Sequence, residues 1–268
     1  MSDLPLYYLI CAATFIATYA LNMTYISVFY HRGFTHQAIS MPPAVRSFII
    51  ATGNWVTGID LKSWACMHRM HHMYSDTERD PHSPRRWGLF GTLYGQYHSY
   101  QVTTRALLRN KEEYTKFVTD LDFPVNSLNK KALWYLPYIL HLVVSLVLGF
   151  GCGWYLLGFS WFLGMMSHPI QGWLVNAFAH SKGYRNFNTT DDSTNNTFVA
   201  LTCFGEGFQN NHHRFPKSAK FSMKWFEFDF GWLITLLLER LGVLEIKSVT
   251  RLTAKQNDLA PDAAEPVW

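Results

Sequence analysis

The sequence predicts an all-α protein: an integral membrane bundle of three to four hydrophobic helices with a histidine-rich helical cap on its cytosolic side. Three observations predict it. Hydrophobic residues fill 49% of the 268 positions and charged residues only 16%, against roughly 25% charged in soluble domains. The uncharged residues are segregated, with no Asp, Glu, Lys or Arg from Leu4 to Tyr30 or from Ala132 to Ser181. The histidines gather in basic segments between and after those runs, most densely at His68-Arg69-Met70-His71-His72.

Taken in order, Leu4 to Tyr30 is long enough for one crossing, since a bilayer core needs about 20 apolar residues. It has no basic stretch ahead of it, so it does not read as a cleaved signal peptide. It runs directly into Tyr30-His31-Arg32-Gly33-Phe34-Thr35-His36. Five residues on a regular helix turn through about 140°. His31 and His36 therefore cannot share one ion from a regular helix face, but they reach two neighbouring ions if the helix loosens at Gly33. Met41-Pro42-Pro43 breaks the helix. The uncharged residues 47–59 are too few for a span and include Asn54 and two glycines, so they read as an interfacial or buried segment.

Through Asp60 and Trp64 the chain reaches the central histidines. On a helix His68, His71 and His72 share one face, with the adjacent pair diverging to either side. One such patch can serve two metals. A lone histidine is usually a surface residue, but a triplet at this spacing offers neutral imidazoles suited to iron, zinc, copper or nickel.

Residues 73–131 read as a polar cytosolic cap with a helix from about Val102 to Leu121. His82 and His98 stand singly there and read as structural. The run from Ala132 to Ser181, interrupted at Gly151-Cys152-Gly153, is long enough for two crossings, which makes three in all. His141 and His168 within it read as neutral side chains hydrogen-bonded between helices. His180 differs, lying at the cytosolic end four residues after Asn176, on the same helical face.

Residues 182–224 bring a second cap segment with Gly205-Glu206-Gly207-Phe208-Gln209-Asn210-Asn211-His212-His213. The adjacent histidine pair returns. Gln209 stands where a further histidine would complete a triplet, either as a weak amide ligand or as a plain polar residue. Residues 225–244 interleave aromatics and leucines with acids, which suits a membrane surface better than a span. One domain is expected over residues 1–250, with a polar tail at 251–268.

The 23 Lys and Arg all lie outside residues 1–31 and 132–181. By the positive-inside rule the histidine segments face the cytoplasm, and the net charge of +4 reflects topology and anionic headgroups, with no nucleic-acid partner implied. Cys11, Cys66, Cys152 and Cys203 are scattered and suggest neither disulfides nor a thiolate site.

Together these residues resemble the membrane-bound fatty acyl desaturases, in the branch of acyl-CoA and acyl-lipid enzymes that introduce the first double bond. The resemblance spans about residues 20–240. It rests on H-x-x-x-x-H at His31 and His36, H-R-x-H-H at 68–72 with Asp80-Pro81-His82 following, Trp173 to His180, and G-E-G-F-x-N-x-H-H at 205–213. It implies two iron ions, with molecular oxygen as co-substrate. Carried over position by position, it puts His31, His68, His72 and His212 on one iron and His36, His71, His180 and His213 on the other. Gln209 takes the place of a ninth histidine, and Asn176 matches a residue that holds an iron-bound water.

Two departures stand out. The family usually has two membrane helices before the first box, where this chain has room for one. Cys66-Met67 also replaces a basic-acidic pair that helps hold the CoA end in the animal enzymes.

The expected function is oxygen-dependent insertion of a cis double bond into a saturated acyl chain, delta-9 in type by resemblance. The substrate would be borne as acyl-CoA, acyl-lipid or acyl carrier protein thioester. An unactivated methylene C–H bond is beyond side-chain acids and bases, so a metal-bound oxidant is required. No haem, flavin or iron-sulfur motif is present, so electrons come from a separate donor of ferredoxin, rubredoxin or cytochrome b5 type. Asp76, Glu78, Asp80, Asp191, Asp192 and Glu206 are the carboxylates available to orient the imidazoles. Membrane lipids surround the chain, and a bacterial inner membrane is the expected setting in preference to the endoplasmic reticulum. A hydroxylase or acetylenase of the same family is the nearest alternative, and a non-catalytic membrane metal binder a remote one.

Overall fold

In a computed structural model, residues 4–251 are described. The tail expected at 251–268 lies, apart from Arg251, outside the described residues. Helix α1 (Leu4–Met23) runs without a break into a π-helical segment, Thr24–Thr35. After a two-residue strand β1 (Ile39–Ser40) come α2 (Pro43–Thr57), α3 (Leu61–Tyr74) and α4 (Pro84–Leu108). Single turns α5 (Glu112–Thr115) and α6 (Ser127–Lys130) lead to α7 (Leu136–Leu146), which ends in a π turn at Val147–Gly151. Next come α8 (Tyr155–Met165) and α9 (His168–Trp173), the latter with a π extension at Leu174–Phe178. Helices α10 (Thr197–Thr202), α11 (Gln209–Arg214) and α12 (Phe230–Arg240) follow. Strand β2 (Glu245–Ile246) closes antiparallel on β1, with Ile39 opposite Ile246.

The all-helical expectation holds, with three differences in detail. Among the described residues, one helix, Leu4–Thr35, is long and apolar enough to cross a bilayer unaided. The run read as two full crossings gives instead two shorter apolar helices, Leu136–Gly151 and Tyr155–Met165, because the chain breaks again before Pro169. The helix expected from about Val102 begins instead at Pro84 and ends at Leu108. Ser83 caps it, its hydroxyl accepting from the Arg85 amide, and Gly88 kinks it at a left-handed φ of 70°. Gly88, Gly91 and Gly95 depress helix propensity over this stretch and hid it.

Helices α1, α7 and α8 form the apolar layer. The Asn22 amide locks that layer to the next, donating to the carbonyls of Val56 on α2 (3.0 Å) and Met165 on α8 (2.7 Å). The main core lies between the π segment and α3, where Val28, Tyr30, Ala65 and Cys66 are fully buried. Two arginines are buried with it. Arg32 is neutralised by Glu206 and Asp229, and Arg69 by Asp120 together with the carbonyls of Phe34, Thr35 and Phe117. Buried charge of this kind persists only when paired and hydrogen-bonded. Both pairings pin a histidine-bearing element in place.

Candidate metal centre

The π segment explains how the first two histidines work together. Its hydrogen bonds run from residue i to i+5, and the His36 amide accordingly donates to the His31 carbonyl at 3.1 Å. A five-residue step then returns to nearly the same side, so the two imidazole centroids lie 4.8 Å apart. The loosening expected at Gly33 extends over Thr24–Thr35.

Helix α3 presents His68, His71 and His72, and its first turn is fixed by Asp60, which accepts from the Ser63 amide and hydroxyl. Trp64, one turn before His68, stacks flat on that imidazole at 5.0 Å and 4°. Helix α11 presents His212 and His213, and His180 follows the π extension of α9.

These eight histidines fall into two groups. His31, His36, His68, His72 and His212 place one nitrogen each within 4.8 Å of all the others. The Nε2 separations are 2.9 Å for His31–His212, 3.2 Å for His36–His68, 2.9 Å for His68–His72 and 3.0 Å for His72–His212. Two imidazole nitrogens bound at right angles about 2.1 Å from one ion, the zinc–imidazole length, stand roughly 3.0 Å apart. Five nitrogens converging in this way form a group that could hold a metal ion.

His71, His180 and His213 form the second group. The Nε2 atoms of His180 and His213 are buried with no hydrogen-bond partner, as metal-ligating atoms would be. His36 lies with the first group. The resemblance puts it with the second group, but the π-helical return places it with the first, 4.6 Å from the His72 ring and 4.7 Å from that of His212.

Carboxylates stand behind four of the imidazoles. Nδ1 lies 2.5 Å from Glu206 in His31, 2.9 Å from Asp80 in His71, 2.9 Å from Asp76 in His180 and 2.6 Å from Asp191 in His213. A carboxylate at Nδ1 fixes the hydrogen there and leaves Nε2 as the ligating lone pair. Burial alone would raise these acids. The partner imidazoles outweigh it for Asp76, Asp80, Asp191 and Glu206, with Arg32 helping at Glu206, and all four are held below the usual carboxylate range. Burial, then the neighbouring imidazoles, push His36, His68, His72 and His212 well below the ordinary histidine value. Both effects favour the neutral imidazole, the form that offers a lone pair to a metal. Of the other candidate carboxylates, Asp192 pairs with Arg85 and Glu78 is exposed.

Gln209 is buried, and its NH2 donates to the Glu206 carbonyl at 2.7 Å. The NH2 of Asn176 donates to Gln96 Oε1 at 3.1 Å. His82, read from sequence as structural, lies beside His71 with centroids 4.5 Å apart and forms a further group with His71 and Asp80. Sequence spacing missed it because the loop after α3, not a helix face, brings it back. His141 meets its reading, with Nε2 donating to the Trp55 carbonyl at 2.9 Å and Nδ1 accepting from the Trp161 indole at 3.2 Å. His98 lies by Trp87 and Tyr94, away from both groups.

A cavity opens beside the first group. At the imidazole end it is lined by His31, His68, Glu206 and Gln209, and it continues past Trp64, Ile26 and Val175 to Tyr97, Trp134 and Tyr138. Gly58 forms part of the wall, where a Cβ would lie 2.7 Å from the Tyr138 ring. The lining is mostly apolar, with Gln96, Gln101, Gln171 and Asn176 as polar points.

Comparison with known proteins agrees with this site. The model of the fatty acid desaturase family matches residues 5–236. A hex-5-enoyl-[acyl-carrier protein] acetylenase from Moorena producens (strain JHB) is 32% identical over 263 residues, 91% of this chain and 79% of the relative. An sn-1 stearoyl-lipid 9-desaturase from Anabaena variabilis is 32% identical over 222 residues, 81% of this chain and 76% of that protein. An icosanoyl-CoA 5-desaturase from Limnanthes douglasii is 33% identical over 232 residues, 81% of this chain but only 59% of the relative. With its histidine groups, its apolar cavity and a match over most of its length, the chain belongs to the fatty acid desaturase family of membrane-associated oxidoreductases.

Proposed function

We propose that this chain inserts a cis double bond into a saturated fatty acyl chain, delta-9 in type, at a two-iron centre held by its eight clustered histidines. The observation that carries the reading is the convergence of imidazole nitrogens 2.9 to 3.2 Å apart at the head of an apolar cavity. One ion would be held by His31, His36, His68, His72 and His212, the other by His71, His180 and His213. Bound there, the irons would supply the oxidising power, drawn from molecular oxygen, to break an unactivated methylene C–H bond.

The protein's own part is binding, orientation and exclusion of water. Ile26, Met67 and Val175 line the cavity with apolar surface that favours a methylene chain, and Trp64 is both cavity wall and support for His68. Glu206, Asp80, Asp76 and Asp191 fix four imidazoles so that no reorientation is needed as charge changes nearby. With its NH2 engaged by the Glu206 carbonyl, Gln209 has its amide oxygen left for the cavity or the centre. Asn176 and Gln96 form a linked polar pair on the wall where a water is readily held.

Removing two hydrogens while oxygen goes to two waters consumes two electrons and two protons, which a separate carrier of ferredoxin, rubredoxin or cytochrome b5 type would deliver. The histidine segments would face the cytoplasm of a bacterial inner membrane, as the distribution of Lys and Arg supports.

Expression in a host with a simple lipid profile tests this. New monounsaturated acyl chains, with the bond located by mass spectrometry, are the expected outcome. An acetylenase is the second reading, favoured by the Moorena relative. A product four hydrogens lighter than the saturated chain whose fragmentation shows one triple bond, not two double bonds, would establish it, and one oxygen heavier would mark a hydroxylase.

A further inference from the structure

Helix α4 is built inside out for a helix in water. Its polar residues Thr92, Ser99, Thr103 and Thr104 are buried against the protein, while Phe90, Tyr94 and Tyr97 point outward, 76%, 60% and 48% exposed, with Leu93 beside them. Positions 90, 93, 94 and 97 share one helical face. An apolar stripe directed outward over a polar inner face is stable only where the surroundings are not water.

The surroundings are indicated by what lies on either side. Phe90 stacks on Trp173 of α9 at 5.9 Å, the Trp173 indole donates to the Leu89 carbonyl, and Tyr97 lies 6.1 Å from Trp134 just before α7. Both tryptophans belong to the uncharged run from Ala132 to Ser181. The stripe is therefore continuous with the chain's membrane surface. Exposed Arg85 and Arg86 precede it and Arg105 and Arg109 follow it. Aromatics bounded by arginines are the composition of a bilayer interface.

The cavity reaches the surface at this face. Leu93 and Tyr97 line it and are also exposed, whereas His31 and His68, which line it too, are buried. We propose that α4 lies on the bilayer and that the acyl chain enters sideways between Leu93, Tyr97 and Trp134, so the substrate is an acyl chain carried by a membrane lipid and not a soluble thioester. This rests on the desaturase reading and adds the substrate's carrier to it.

The test uses the full chain in phosphatidylcholine vesicles containing deuterated stearoyl chains. With Tyr94→p-benzoylphenylalanine, irradiation should attach phospholipid to the protein, and the same substitution at exposed Glu78 should not. Attachment to a second copy of the chain alone, or equal lipid labelling at both positions, overturns the placement. With iron, reductant and oxygen supplied, desaturated chains should appear in the vesicle lipid, and Phe90→Glu with Tyr94→Glu should cut that yield at least tenfold at unchanged iron content. Product from stearoyl-CoA or stearoyl-acyl carrier protein alone overturns lipid entry and leaves the desaturase reading standing. Product from no substrate overturns both.

Discussion

At the scale of single residues, the division of labour between imidazole and carboxylate makes the sharpest predictions. His71 has its Nδ1 on Asp80 and its ring among those of His180 and His213. His71→Ala should lower iron content and abolish turnover while the protein still accumulates in the membrane, since insertion depends on the apolar runs. Iron analysis of the purified variant checks this, and full activity would sink the two-iron assignment. Gln209 is the chain's own departure at the centre. A residue that steadies the Glu206 loop should, on Gln209→Ala, cost about 10 to 100-fold in metal affinity or activity. Gln209→His should retain iron and bind it more tightly. Parental iron content and turnover in Gln209→Ala would deny the residue any role.

The histidines were legible residue by residue because helix spacing is written directly in sequence. His68, His71 and His72 needed nothing more. The pairing of ligands with particular carboxylates was not legible, because Asp76 and Asp191 return through loops, far in sequence from the imidazoles they orient. The grouping of His36 was hidden for another reason: a regular helix turns it away from His31, and only the π winding brings it back.

At the scale of elements, α3 is the part to perturb, since it carries three imidazoles on one capped helix. Asp60 is buried and accepts from the Ser63 amide, the Ser63 hydroxyl and the Asn126 amide, at 2.7 Å each. Asp60→Ala leaves those buried donors unpartnered and should cost about 2 to 4 kcal/mol, a fall in Tm on the order of 5 to 15 °C. Asp60→Asn, which keeps an acceptor, should lose less. Thermal unfolding in detergent separates the two, and equal losses would mean that the charge, not the cap, matters. Helix α4 shows where element-level reading fails. Its three glycines and its outward apolar face look like neither a soluble helix nor a span, so only its last turns were anticipated.

At the scale of the whole molecule, the arrangement of the chain across the bilayer follows from parity. If the histidine segments face the cytoplasm as proposed, the one long apolar helix ahead of them, Leu4–Thr35, would start on the far side. A reporter fused at residue 1 should be active outside the cytoplasm. Cytoplasmic activity would mean that α2 crosses as well, or that the first helix re-enters. Composition revealed the membrane class and the two uncharged runs. It did not reveal that the second run breaks into shorter helices, since the hydropathy of Met165-Met166-Ser167-His168-Pro169 does not announce where a helix ends.

The five imidazoles of the first group come from the π segment, α3 and α11, spread between His31 and His212 in the sequence. This spacing sets the order of biogenesis. On a ribosome that site cannot close until His212 has emerged, so an ion held there as proposed would be taken up only after the apolar helices have been made. An ion that binds only the closed form stabilises it by mass action, clasping the first membrane helix to the last part of the cap. Iron supply would then govern how much of this protein a cell keeps, since chains awaiting the ion remain open to proteolysis while those that have captured it are shielded.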